Sequence, residues 1–292
     1  MPLNKIMKFN LNRTAISVTA MLMVSVYLFA TAPAPLSDDA HSGKRLATKA
    51  ILEIVNQQNS AVRALYTTEI VGAGKKVGIK FDEHYKDKDV HAGPLPAQFL
   101  RETARYLETT PVQLGLYLGS DYPINNANRF EGAPLAMFRQ LRADRQPRFF
   151  RVEDSGRYAY LFADVAIANA CVDCHNQHPQ TPKNNWQLQD VMGATTWTYP
   201  TETLSVTEAL DVLNTLHQAF GEAYGILLQK IQTMDQPPRI GKRWPRDGYY
   251  LPSVEVFMTE VESRIAMPTL NQLRVVTSGD NIGKVTARKP AS

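Results

Sequence analysis

The sequence predicts an α+β fold: an antiparallel sheet with flanking helices, followed by a helical C-terminal extension. Three observations predict it. Long stretches near both ends carry apolar residues at helical spacing. The middle, from about 112 to 199, changes to short alternating runs rich in aromatic and β-branched residues. Most of these runs are joined by hairpin turns and short helices, and several antiparallel strands with short intervening helices make an α+β module.

The elements follow in order. Lys5, Lys8 and Arg13 precede a stretch without charge from Thr14 to Ser37, and Ala30-Thr31-Ala32 offers a small-x-small cleavage site. That pattern predicts an export signal or an N-terminal membrane anchor, with a Pro-containing tether completing a first region, 1–43. A helix is predicted from about Lys44 to Val71, carried by Ile51, Ile54, Val55, Val62, Leu65 and Ile70, and broken by Gly72-Ala73-Gly74-Lys75-Lys76. Residues 77–95 read as irregular, and a second helix as running from Ala97 to Glu108.

Val112 to Leu118 reads as a strand, Asp121 to Asn128 as an Asn-rich loop, and Pro134 to Arg142 as a short helix. Arg148–Val152 and Arg157–Phe162 are strands joined by the hairpin signal Glu153-Asp154-Ser155-Gly156. Val191 to Tyr199 alternates as a closing strand, which completes a region spanning 44–202. The extension, 203–292, opens on the capping box Ser205-Val206-Thr207-Glu208. A stripe of Leu210, Leu213, Leu216, Phe220, Tyr224, Leu227, Leu228 and Ile231 follows, then a Pro/Gly/Arg-rich loop (237–250) and a last helix over 253–277.

The formal charge is +4, and without Lys5, Lys8 and Arg13 it is +1. No basic stripe remains to suit nucleic acid.

The chemistry concentrates in Cys171-Val172-Asp173-Cys174-His175, which holds the only two cysteines among 292 residues. The C-x-x-C-H spacing is that of covalent attachment of one c-type haem. Two thiols three apart add across the two porphyrin vinyls, and the next imidazole serves as proximal ligand to the iron. A thioredoxin-like redox pair needs a βαβ setting, and the strand before the motif is not followed by an amphipathic helix pattern. Structural zinc would need His178 as a fourth ligand, bunched against the others. A disulfide across two residues would be strained. Haem c is attached outside the cytoplasm, so the motif and the N-terminal segment together predict a periplasmic protein, released or tethered.

The chain resembles the PAS-like single-haem c-type cytochrome domain family, found in periplasmic sensor regions and as a stand-alone cyanobacterial haem protein. The resemblance lies in Val62-Arg63-Ala64-Leu65-Tyr66-Thr67, Pro94–Phe99, Asn125–Glu131 and Arg157-Tyr158-Ala159. Its most specific block is Cys171–Pro179, then Trp186 and Asp190-Val191-Met192-Gly193. It implies a PAS-like antiparallel sheet with the haem held against it, and a role in redox or small-ligand sensing or in electron transfer. The chain departs from sensor members in having helices at 205–277 where they continue into a membrane helix and an output domain. It also lacks a third cysteine, which one branch of the family uses as distal ligand.

Candidate residues toward the haem are Cys171, Cys174 and His175. Tyr66 and Tyr117 are either pocket donors or core aromatics, and Arg157, Arg139 and Lys183 are candidate partners of the propionates. The distal position stays open among His91, His84, a methionine such as Met192 or Met137, and no protein ligand. His91 is the first choice because it precedes the rigid Gly93-Pro94-Leu95-Pro96 turn. The expected function is mono-haem electron transfer or redox sensing with a separate redox or signalling partner. The alternatives are a sensor of a diatomic ligand and a haem peroxidase, and no catalytic residue is assigned.

Overall fold

The computed structural model describes residues 45–167 and 169–278, with Met21 and Gly43. The N-terminal segment read as a signal or anchor, and the last dozen residues, lie outside the described residues. Among the described residues no helix is long and apolar enough to cross a membrane. The chain divides into Met1–Gly43 and Lys44–Ser292, and the architecture below belongs to the second unit.

Strand β1 (Arg45–Ala47) leads directly into helix α1 (Thr48–Leu65). Thr48 starts the helix without a side-chain cap. Its N–H donates to the Glu202 carbonyl at 2.9 Å and its hydroxyl to the Thr201 carbonyl at 2.6 Å. The predicted break at 72–76 does not occur there. The helix widens into a π-turn, Tyr66–Gly72, and continues as α2 (Ala73–Lys76). Glycine inside a helix costs about 1 kcal/mol relative to alanine, but here it permits a close approach. A Cβ on Gly74 would lie 3.0 Å from the Phe81 ring. The stop comes at Gly78, whose φ of +93° only glycine adopts readily.

Two-residue strands β2 (Phe81–Asp82) and β3 (Gly93–Pro94) pair in parallel and bracket the loop 83–92. Helix α3 (Pro96–Glu108) follows, with proline at its start, where a missing N–H costs nothing. Then come β4 (Gly115–Gly119), a 3₁₀ turn (Asn126–Asn128), α4 (Gly132–Asp144), β5 (Arg148–Arg151), β6 (Tyr158–Val165), α5 (Asn169–Gln177) and β7 (Val191–Tyr199). The four larger strands form one antiparallel sheet in the order β4-β7-β6-β5.

Strand alternation gives the sheet two buried faces. Tyr160, Trp197, Leu116 and Tyr199 join the main core, while Ala159, Leu161, Val191 and Ala194 pack with Phe130, Phe138 and Leu141 under α4. Gly193 is where β7 crosses close to β4, since a Cβ there would come within 2.6 Å of the Gly119 carbonyl oxygen. Gly193→Ala is therefore expected to cost about 1–3 kcal/mol in urea unfolding. A loss below about 0.5 kcal/mol would show that the two strands separate freely.

Strand β8 (Thr203–Ser205) pairs with β1 and ends in the capping box of α6 (Val206–Ile231). The Glu208 N–H donates to Ser205 Oγ at 3.1 Å, and the Ser205 N–H to Glu208 Oε2 at 2.6 Å. The buried stripe of α6 is shifted from the predicted one. Leu210 is 50% exposed, and Val212, Leu216, Ala219, Phe220, Ala223, Tyr224, Leu227 and Ile231 face inward. Strands β9 (Arg239–Gly241) and β10 (Tyr250–Pro252) pair in parallel within the stretch read as a loop, and α7 (Val254–Ser278) closes the fold.

An aromatic stack ties these helices into the rest. Tyr66 lies on Phe99 at 4.3 Å, Phe99 meets the Phe257 edge at 6.5 Å, and Phe257 lies on Tyr224 at 4.0 Å.

His217 of α6 has its Nε2 buried without a hydrogen-bond partner. Burial holds its pKa below the ordinary 6.5, against the opposing pull of Glu262 on α7. The unfolded chain therefore binds this proton more readily than the folded one. The associated stability is complete above about pH 6.5 and is lost as pH falls toward the folded value. His217→Leu should flatten the fall in urea midpoint between about pH 7 and 5. An unchanged pH dependence would remove His217 as its source.

Candidate functional site

The C-x-x-C-H motif lies on a helix, although the sequence shows no amphipathic helix pattern after the preceding strand. β6 ends at Val165, and α5 carries Cys171, Cys174 and His175 at positions i, i+3 and i+4. Those offsets put all three side chains on one helical face. Because a helix does follow the strand, the redox-pair alternative has to be judged on topology. β6 and β7, which flank α5, are antiparallel neighbours, whereas a thioredoxin-like site needs a parallel βαβ crossover. No group of three or more His, Cys, Asp or Glu side chains among the described residues is arranged to hold a metal ion, so the zinc alternative has no ligand cluster.

Both thiols are free; Cys171 is half-buried and Cys174 exposed. Burial pushes the His175 imidazole below its usual range, and neighbouring His178 pushes the same way. A neutral ring at neutral pH is the form that binds metal. Burial, then the negative charge of Glu83, pushes the Cys174 thiol upward, with Lys75 opposing.

Arg63 lies within electrostatic reach of Cys171, and Glu83 and Lys75 lie within reach of Cys174. Arg63 forms an ion pair with Asp164 of β6, and Asp164 also accepts from Thr195 Oγ1 at 3.0 Å. The guanidinium is held above its usual value chiefly by Asp164, and Cys171 adds to the same effect. At the other end of α5, His178 Nε2 lies 2.9 Å from Glu83 Oε1. The opposite face is clamped by Asn176. Its Nδ2 donates to the Trp186 carbonyl at 3.0 Å and its Oδ1 accepts the Trp186 N–H at 2.8 Å. Lys183 stands 4.3 Å over the Trp186 ring, and the indole Nε1–H is buried without an acceptor.

This donor set fits a covalently held haem: two accessible thiols, a neutral imidazole on the same face, and the cations Arg63 and Lys75 within reach of the thiols for carboxylates. Arg63 and Asn176 stand in the sequence only inside the blocks that carry the resemblance, with no role of their own, and Asp164 only inside a strand. The available signal was a charged residue among the buried apolar positions Val62, Leu65 and Tyr66.

The other expected residues are placed as follows. Tyr66 is fully buried, and its hydroxyl donates to the Pro94 carbonyl at 2.7 Å, so it is a core aromatic. Tyr117 donates to the Ala127 carbonyl at 3.0 Å. Arg157 is bound to Thr198 and to the Gln113 carbonyl at the start of β6, about 25 Å of strand away from α5. Its fixed partners and that separation keep it from the motif. Met192 is the second residue of β7, with its carbonyl accepting from Ser120 Oγ at 2.6 Å.

His91 Nδ1 lies 2.9 Å from the Thr233 carbonyl just beyond α6, and no described contact links it to α5. A carbonyl only accepts, so Nδ1 is the donor in this contact and Nε2 is not used in it. His84 is exposed beside Glu83.

A family model described as Tll0287-like matches residues 38–200, more than half of the chain. No curated protein and no solved structure matches it.

Proposed function

The chain belongs to the Tll0287-like family of PAS-like single-haem c-type cytochrome domains, and from that premise we propose an extracytoplasmic mono-haem protein acting in electron transfer or redox sensing. The observation that carries this reading is the placement of two free thiols and a neutral imidazole on one face of α5. Once bound, a haem supplies a ferric/ferrous couple and thus a one-electron store.

The chain's own residues do the rest. Cys171 and Cys174 would hold the porphyrin through thioethers, His175 would supply a nitrogen ligand to the iron, and Arg63 and Lys75 would offset the propionate charge. The Asn176–Trp186 clamp ties α5 to the loop that follows it, and the Arg63–Asp164 pair ties α1 to the end of β6 that leads toward α5. His91 remains the first candidate for the distal position. Its Nδ1–H on a backbone carbonyl is how ligating histidines are commonly oriented, with Nε2 left to bind.

The reading assigns no catalytic residue. A peroxidase would use His84 with Glu83 or Asp82 as its acid–base pair; Glu83 is engaged by His178, and Asp82 Oδ1 accepts the His84 N–H. The partner is a separate redox or signalling protein outside the cytoplasm, and the N-terminal segment either exports the chain or tethers it to the inner membrane.

The test is an optical spectrum of protein matured with the haem-attachment machinery, reduced, before and after carbon monoxide. Absence of covalent haem would overturn the reading. A spectrum unchanged by the gas means a strong sixth ligand and electron transfer, with loss of that resistance expected in His91→Ala. A clear Soret shift means an open distal site and a sensor of a diatomic ligand.

A further inference from the structure

Away from the haem motif, the outer edge of β4 faces α3 across a cleft of about 260 Å³. One wall is the edge of the sheet, because β4 pairs only with β7. The direction of its backbone groups follows from Ser120. The Ser120 N–H donates to the Asn128 carbonyl at 3.0 Å, and its own carbonyl accepts from the Phe130 N–H at 2.9 Å, so both groups point away from β7. Strand alternation then turns the N–H and C=O of Leu118 and Leu116 the same way, into the cleft. No described hydrogen bond uses them outside the ladder.

The Ser120–Asn128 contact and the 125–128 turn close one end of this cleft, and the 109–114 connection from α3 to β4 lies at the other. Unpaired edge groups of this kind are satisfied by an added strand.

The charges in the cleft add a direction. Arg101 of α3 lines the closed end, near the Tyr117 ring, whose hydroxyl proton is already given to Ala127. Arg101 makes no hydrogen bond or ion pair with any described residue, in contrast to Arg105, which is held by Glu102. Glu108, also without a hydrogen bond or ion pair among the described residues, lines the other end two turns further along α3, about 10 Å away. An extended chain rises about 3.3 Å per residue, so about three residues span the two charges.

The geometry points to a binding site for a short extended peptide with a free C-terminal carboxylate. The carboxylate meets Arg101 at the closed end, the backbone pairs with Leu116 and Leu118, and a cationic amino group reaches Glu108. The site is independent of the haem assignment.

Calorimetric titration of the full-length, haem-matured protein tests it, with tri-alanine, tri-alaninamide and acetate as probes. Saturable binding of tri-alanine is expected, with about ten-fold weaker binding of the amide and little binding of acetate. Arg101→Gln should lose about the same factor for tri-alanine and no longer distinguish acid from amide. No saturation by about 10 mM tri-alanine would overturn the proposal. So would equal affinity for acid and amide in the unmodified protein, which requires no variant to fold. Acetate binding as tightly as the tripeptide would likewise show that the β4 edge contributes nothing.

Discussion

Replacing both Cys171 and Cys174 by serine is expected to abolish covalent haem completely while leaving the fold in place. The two halves of that expectation rest on different facts. A serine hydroxyl does not add to a porphyrin vinyl group, so no thioether forms. The fold survives because Cys171 is only half-buried, Cys174 is exposed, and neither thiol is in a disulfide. Exchange of a surface side chain of nearly the same size costs within about 0.5 kcal/mol. Haem staining after denaturing electrophoresis checks the first half, and far-UV circular dichroism the second. Single variants retain one thioether and a weaker stain. His175→Ala, by contrast, keeps both thioethers and changes the visible spectrum, because the iron loses its proximal nitrogen. A double-serine protein that still holds haem through acid extraction would show that these thiols are not the attachment points, and the functional reading would go with them.

Local chemistry in this chain was legible from its letters. The closing strand at 191–199 and the Ser205–Glu208 capping box each depend on neighbours within a few residues, and each stands where the sequence put it. What depends on distant contacts was not legible. Gly72 and Gly74 read as a helix break, yet the helix runs on because Phe81 packs where a Cβ would be. Leu210 belongs to the apolar pattern of α6 but faces outward, since the partner helices cover the face through Val212 and Leu216. Tyr66 and Arg157 were plausible pocket residues until Pro94, Thr198 and Gln113 were seen to hold their polar atoms. The Arg63–Asp164 pair spans 101 residues, a pairing no local pattern announces.

The same distinction bears on what the C-terminal helices do. The family match ends at residue 200, as though the remainder were an appendage. The core is arranged otherwise. Leu216, Phe220, Tyr224, Leu227 and Ile231 of α6 and Phe257 of α7 are fully buried in one cluster with Ile51, Val55 and Leu65 of α1 and with Phe99 of α3. Burying six such side chains is worth on the order of 10 kcal/mol, comparable with the whole stability of a typical domain. A fragment ending at residue 202 is therefore expected to lose cooperative unfolding and to expose the apolar faces of α1 and α3. The single change Phe257→Ala, which opens the middle of the Tyr66–Phe99–Phe257–Tyr224 stack, should cost about 3–5 kcal/mol. Urea unfolding followed by near-UV dichroism decides both. If the fragment unfolds at the full-length midpoint, the helices are accessories. If it does not, they are part of the body that holds α5, and any signal from the haem reaches them through shared packing rather than across a linker.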